Sequence, residues 1–369
     1  MRVAFVMPGA GVVGRGAEAF VLEIAAALAD AGGEPTILCR GPVPLPHRRL
    51  RAVPRDAAWL VGLHRASRLG RKILDTLYLD PLSVEWATAS LGAFPALWRG
   101  GYDVVVIEGG LVGAWLCRLL RRLRGVPFVD VAHGVDPKWE GAFARQRPDR
   151  VVTFTRAAAA MIAERAPGAR IEVVPHGVDL ERFHPAVPPA MVDLPRPLVM
   201  TAGAVDDHKR HDRALAAVAR LGEIGRPASL LVLGDGPAAA ALDAMGRERL
   251  PGRYLRNVVP RAAMPGYYAA ADLFTLPSRT ESFGLAYLEA LACGIPCVAP
   301  GDAVRREVIG EAGLYADPAD VEAYAGALAA ALDRDWGDLP RCRAEHFPFA
   351  ATAEAWRRLL ATLAASEAA

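Results

Sequence analysis

Short apolar runs alternate with amphipathic stretches along most of the chain. Val3–Met7 (VAFVM), Pro35–Leu38 (PTIL), Val104–Ile107 (VVVI), Pro127–Val131 (PFVDV), Val151–Phe154 (VVTF) and Ile171–Val174 (IEVV) are too short for helices and read as strands. Between them, Ala17–Ala31, Leu111–Leu123 and Ala157–Arg165 carry helical patterns. Strands alternating with helices predict a parallel sheet with crossover helices. A second alternation follows, with strands at Leu198–Gly203, Ser229–Gly234, Tyr254–Val259, Asp272–Leu276 and Pro296–Ala299. Its helices fall at Arg213–Leu221, Ala238–Arg247 and Leu285–Cys293. Five prolines between His184 and Pro197 mark the expected linker. The prediction is therefore α/β, with two doubly wound Rossmann-like domains whose βα loops face a central cleft, because ligands bind beyond the carboxyl ends of such strands.

A length of 369 residues suits two domains, and 53% hydrophobic with 23% charged residues describes a globular chain. The five cysteines show no CxxC pair and read as reduced core thiols. Pro8 and several glycines interrupt the first apolar run, so no signal peptide is expected, and no apolar run reaches 18 residues. A cytoplasmic protein is the expectation. The net charge of +2 hides an asymmetry, since residues 1–180 hold 23 Lys/Arg against 17 Asp/Glu, and the remainder 20 against 24. Arg48, Arg49, Arg51, Arg55, Arg65, Arg68, Arg71 and Lys72 concentrate this excess, with Arg118, Arg121, Arg122 and Arg124 later. They read either as solvated helix faces or as a patch for peripheral contact with an anionic membrane. Few aromatics are interleaved, which argues against nucleic acid.

Gly9-Ala10-Gly11-Val12-Val13-Gly14 fits G-x-G-x-x-G after a strand, and Arg40, at the end of the second strand, would suit a 2′-phosphate. An NADP-dependent oxidoreductase is thus one alternative, and a non-catalytic sugar-nucleotide-binding protein is another. The more specific segment is PSRTESFGLAYLEALACGIPCVAP, Pro277–Pro300. There a strand ends, a polar loop with Glu281 follows, and Ser282-Phe283-Gly284 opens a helix beginning at Leu285. Amides at Gly284 and Leu285 would lie at its first turn, where a diphosphate is stabilised without a metal. Glu281 precedes the helix and Glu289 sits inside it, so the two carboxylates can address different parts of one ligand.

This segment resembles the E-x7-E donor signature of retaining glycosyltransferases of family four, which have the GT-B fold. The resemblance implies that Glu281 accepts hydrogen bonds from donor-sugar hydroxyls and Glu289 from the ribose. TAGAVDDHKRHD (Thr201–Asp212) is similar to the phosphate loop that usually carries an arginine and then a lysine. Ala204 replaces the arginine; Gly203 and Lys209 remain, with Arg210 as a candidate helper. LLVLGDGP resembles the strand and turn beside the nucleotide, which would set Gly234 and Asp235 there, Asp235 reading as a turn residue sooner than as a ligand, and Tyr254–Arg261 would then border the base. His133 in VDVAHGVD resembles a histidine facing the donor sugar; the alternative is a histidine that caps its loop. Gly14, Arg15 and Gly16 resemble the first loop approaching donor phosphate and acceptor. The implied reaction moves a hexosyl group from a UDP-, GDP- or ADP-sugar to an acceptor hydroxyl, with no other cofactor and no metal, in glycan, cell-envelope or glycolipid synthesis. Residues 1–185 would bind acceptor and 186–348 donor, with a C-terminal helix at 349–366 packing back on the first domain.

Overall fold

A computed structural model of the protein describes residues 1–12, 16–133 and 137–365. The chain divides into two compact units, residues 1–174 with 353–369, and residues 175–352.

The first unit runs β1 (Arg2–Val6), α1 (Gly16–Asp30), β2 (Glu34–Cys39), β3 (His47–Arg49), α2 (Ala58–Arg65), α3 (Arg68–Thr76), α4 (Pro81–Arg99), β4 (Val104–Ile107), α5 (Leu111–Arg124), β5 (Phe128–Val131), α6 (Pro137–Ala144), β6 (Arg150–Thr153), α7 (Arg156–Arg165) and β7 (Ile171–Val173). Its seven strands form a parallel sheet in the order β3-β2-β1-β4-β5-β6-β7. Strands β1 and β4 are apolar on both sides because helices cover both faces. Helix α4 fills an interval without an assigned pattern; it starts where the Asp80 carboxylate accepts the Leu82 and Ser83 amides at 3.0 and 3.1 Å. Helix α5 stops at Gly125 in the left-handed conformation, with Arg121, Arg122 and Arg124 in its last turn. Helices α2 and α3 are exceptional, since Leu60 is the one buried residue of α2 and α3 buries none.

The second unit runs β8 (Leu198–Ala202), α8 (His211–Glu223), β9 (Ser229–Leu233), α9 (Ala239–Arg249), β10 (Tyr254–Asn257), α10 (Met264–Ala270), β11 (Leu273–Thr275), α11 (Leu285–Ala292), β12 (Cys297–Ala299), α12 (Ala303–Ile309), β13 (Gly313–Tyr315), α13 (Val321–Asp333) and α14 (Leu339–Ala344). The parallel order is β10-β9-β8-β11-β12-β13. Helix α15 (Phe349–Ala365) begins in this unit and from Ala353 belongs to the first, where Trp356 meets Phe20 edge-on at 5.9 Å. In each sheet the order reverses at one point, between β1 and β4 and between β8 and β11. Ligands of such sheets bind beyond the carboxyl ends of the strands beside the reversal.

The proline-rich stretch is no free linker, and the division falls at Val174 instead of 185. Val178 exchanges backbone hydrogen bonds with Phe347 and Phe349 at 2.9 and 3.0 Å. Arg341 donates to the Phe183 carbonyl at 2.8 Å, and the Ala190 amide to the Gly266 carbonyl at 2.8 Å. These bonds fasten residues 175–190 to the second unit. Four cysteines are buried as expected, but Cys342 is exposed.

Candidate active site

In the second unit, the loops after β8, β9 and β11 meet at the sheet reversal. Gly203 (φ 141°) and Gly234 (φ 155°) hold backbone conformations that side chains rarely adopt, and a Cβ on Gly234 would strike the Gly203 carbonyl. Their close approach brings the β8 and β9 loops into contact, closed by the Val205 amide donating to the Asp235 carbonyl at 2.9 Å.

The loop after β8 is then laced to the loop after β11. The Arg279 amide donates to the His208 carbonyl at 2.9 Å, the His208 ring returns a bond to the Thr280 carbonyl at 2.9 Å, and Arg210 Nε donates to the Pro277 carbonyl at 2.7 Å. At the centre, Lys209 Nζ lies 2.7 Å from Glu281 Oε1, which also accepts from Ser278 Oγ at 2.6 Å. Buried Arg305 donates to Ser278 Oγ at 2.7 Å and to the Ser278 carbonyl at 2.6 Å, and pairs with Asp302. Burial pushes the Glu281 carboxyl up, but Lys209, Ser278 and Arg305 outweigh it and hold it below the usual carboxylate range. Burial, with Arg279, Arg213 and Arg305 nearby, makes the Arg210 guanidinium easier to deprotonate than usual. Lys209 and Arg305 thus act on the Glu281 carboxylate, and Arg210 and Arg279 stand in the same loops, in surroundings that an anion would relieve.

Gly284 caps α11 at φ 92° with no side-chain hydrogen bond, leaving the amides of its first turn without a side-chain cap. Within α11, Glu289 is buried, accepts from Tyr268 at 2.9 Å and lies 3.1 Å from Arg261. Beneath the β8 loop, His211 accepts from Thr201 Oγ1 at 3.0 Å and donates to the Ala204 carbonyl at 3.2 Å. Burial lowers its pKa to about 4, so it is neutral.

In the first unit, the carboxyl ends of β4 and β5 carry Glu108, Asp130 and His133. His133 contacts the nearly buried Glu108 carboxylate and packs on the Phe20 and Phe154 rings at 6.0 and 5.1 Å. Burial, and then the Glu108 charge, push Asp130 up to about 7.

A sequence profile described as Glycosyltransferase Family 4 matches residues 14–182, and one described as Glycosyl transferases group 1 matches residues 196–334. A GDP-mannose-dependent alpha-(1-6)-phosphatidylinositol dimannoside mannosyltransferase of Mycobacterium tuberculosis is 31% identical over 83% of this chain and 78% of its own length. A D-inositol 3-phosphate glycosyltransferase of Xylanimonas cellulosilytica is 30% identical over 89% and 85%. The chain belongs to the family-four glycosyltransferases. Sucrose-phosphate synthase from Thermosynechococcus elongatus superposes with a TM-score of 0.79 over 99% of both chains at 20% identity. Anabaena HepE, in complex with UDP and glucose, gives 0.72 over 98% of this chain and 100% of its own at 15% identity. The glycosyltransferase therefore has the GT-B fold.

Family membership removes the oxidoreductase alternative, and Arg40, its proposed 2′-phosphate ligand, is paired with Glu85. The structure brings Gly203, Lys209, Arg210, Gly234, Glu281 and Gly284 into one group of loops, with Leu285 opening the next helix. The Phe283 side chain is buried edge-on against His176 at 5.4 Å and Phe347 at 5.5 Å, which leaves its backbone to face a ligand. The Asp235 side chain is 67% exposed and lies 3.4 Å from Arg256. Gly14 and Arg15 lie outside the described residues, and Gly16 opens α1. Three partners were missed in the glycosyltransferase sequence: Ser278, Arg305 and Glu108. Arg305 stands 24 positions beyond Glu281, and nothing local signals that it turns back to Ser278.

Proposed function

We propose that this glycosyltransferase moves a hexosyl group from a nucleoside diphosphate sugar to an acceptor hydroxyl, with retention at the anomeric carbon, in glycan, cell-envelope or glycolipid synthesis. The second unit takes the donor and the first the acceptor. The observation that carries the reading is the Lys209–Glu281 pair at 2.7 Å, set among Arg210, Arg279 and Arg305 beside the uncapped start of α11. The cations and the helix terminus stabilise charge on the leaving diphosphate. Arg305, acting through Ser278, and Arg210 supply positive charge where Ala204 stands in place of the usual arginine. Glu281 accepts from donor-sugar hydroxyls, and Glu289, held by Tyr268 and Arg261, from the ribose.

In the transfer step the acceptor oxygen bonds to the anomeric carbon as the carbon–phosphate oxygen bond breaks. The departing phosphate takes the acceptor proton on the face it leaves, which gives retention. His133, in contact with Glu108, is the first unit's candidate group for the reaction. A nucleotide-sugar donor agrees with the GDP-mannose dependence in the name of the mycobacterial relative and with the UDP bound by HepE.

Peripheral contact with an anionic membrane through α2 and α3 belongs to the same reading. Trp59, Leu63, Leu69 and Ile73 are 62%, 56%, 71% and 50% exposed, and Arg65, Arg68, Arg71 and Lys72 stand among them, also exposed. Apolar and basic side chains interleaved on short exposed helices fit the interface of an anionic bilayer. No helix among the described residues is long and apolar enough to cross a membrane.

Incubating the protein with UDP-, GDP- and ADP-linked hexoses and following the anomeric proton by NMR tests the proposal. One donor is expected to be consumed slowly, and its sugar released first as the anomer it had in the donor. Release of the opposite anomer would overturn retention; consumption of no donor would overturn the whole reading.

A further inference from the structure

Beyond the carboxyl ends of β1, β2 and β3, away from the Glu108–His133 pair after β4 and β5, lies a cavity of about 620 Å³. Val12, Arg40, Arg49, Leu50, Arg51 and Ala52 line it. Its walls follow from the strands: Val12 comes from the loop after β1, Arg40 directly follows β2, and Arg49 to Ala52 end and follow β3. The loops are locked together, because the Gly41 amide donates to the Ala10 carbonyl at 3.1 Å and the Leu50 amide to the Cys39 carbonyl at 2.6 Å. A Cβ on Gly11 would come within 2.5 Å of the Pro42 carbonyl oxygen, so the two loops pack backbone to backbone. Backbone contacts between these loops thus form the cavity wall.

Half of its lining residues are arginines, and their charge is not balanced. Glu85, fully buried on α4, pairs with Arg40 and with Arg55, whose Nε lies at 2.5 Å and whose amide at 3.3 Å. One carboxylate thus serves two guanidiniums. Arg49 Nε donates only to the Arg40 carbonyl, at 3.1 Å, and Arg51 makes no side-chain hydrogen bond or ion pair among the described residues. Three guanidiniums consequently line the cavity, and the one carboxylate paired with any of them, Glu85, is shared with Arg55. Such crowding is unfavourable until an anion enters, and guanidiniums match the paired oxygens of a phosphate. A neutral sugar hydroxyl has no use for this excess of positive charge. The volume falls within the range typical of small-molecule sites.

We propose that this cavity is an anion subsite for the acceptor, holding a phosphate group carried by the molecule that receives the sugar. The proposal rests on the first unit being the acceptor side. Glu85 fixes Arg40 at the cavity wall, while Arg49 and Arg51 are exposed and open to the ligand. The phosphate is either that of a soluble phosphomonoester or that of a lipid headgroup, and both present the same oxygens.

The test uses the full-length protein and the double variant Arg49→Ala/Arg51→Ala. Both residues are exposed and neither holds Glu85, whereas replacing Arg40 would disturb a buried pair; a thermal melt verifies that the double variant is folded. Inorganic phosphate, sn-glycerol 3-phosphate and uncharged glycerol are titrated by NMR, and vesicles of phosphatidylglycerol or phosphatidylcholine are co-sedimented. Phosphate and glycerol 3-phosphate should bind the wild type and bind the double variant about tenfold more weakly; glycerol should not bind. If glycerol 3-phosphate fails and phosphatidylglycerol binding falls in the double variant, the subsite serves a lipid headgroup. Equal binding of every probe by both proteins would overturn the proposal, as would full displacement of phosphate by UDP or GDP, which would assign the cavity to the donor. The same nucleotides titrated into wild type report the donor site separately. Their failure to bind would sink the functional reading and leave arginine-dependent phosphate binding standing.

Discussion

Gly284 shows most directly how a single residue sets the site. At φ 92° a β-carbon is strained, and it would lie 2.8 Å from the Tyr287 ring. Gly284→Ala should therefore lower stability by about 1–3 kcal/mol and weaken nucleotide binding, as urea unfolding and titration with UDP or GDP will show. Unchanged stability would mean that the turn into α11 adapts. At this scale the sequence was informative where chemistry is local: Glu281, Gly284 and Glu289 follow one another through a loop and a helix start. It was uninformative where a partner arrives from another element. Ser278 reads as a loop serine, yet it links Arg305 to Glu281, and Glu108 reads as a strand end, yet it contacts His133. Phe283 reads equally as ligand contact or as core, and packing assigns its side chain to the core.

Among the elements, the strands and their following helices were legible because both sheets are parallel and buried, which leaves continuous apolar runs. The interval between β2 and β4 was not, because α2 and α3 are short, at 8 and 9 residues, and their apolar side chains, such as Leu69 and Ile73, stay exposed instead of marking a core face. That same lack of burial makes them the proposed membrane face. Wild type should co-sediment with phosphatidylglycerol vesicles, less at high salt, while Leu69→Asp/Ile73→Asp should lose about tenfold or more in binding. Both positions are at least half exposed, so folding should be unaffected. Equal binding to phosphatidylcholine and phosphatidylglycerol, or no effect of the variant, would remove the membrane face. The proline-rich stretch was taken for a linker because its composition resembles one, whereas backbone bonds to 266 and 341–349 hold residues 175–190 in the second unit.

Across the whole molecule, the two units should respond oppositely to pH. Asp130, in the first, has its pKa raised from 3.8 to about 7, so the folded form keeps a proton that the unfolded chain releases. The Asp130 contribution to the first unit should be fully present below about pH 4 and be lost as pH rises through 7. His211, in the second, has its pKa lowered from 6.5 to about 4, and Glu281 is lowered too. There the unfolded chain binds the extra protons, so stability is present above pH 6.5 and is lost as pH falls toward 4. Hydrogen exchange read separately over β4–β5 and β8–α8 should show these opposite slopes, and Asp130→Asn should flatten the first; parallel slopes would contradict the assignment. The proposed reaction depends on the charged group around Lys209 and Glu281 activating a nucleotide-sugar donor. The most direct measurement is the turnover rate of the donor that wild type consumes, compared with Lys209→Ala and Glu281→Gln. Each variant should lose about a hundredfold in rate; full wild-type rates in both, or no donor consumed by wild type, would rule that role out.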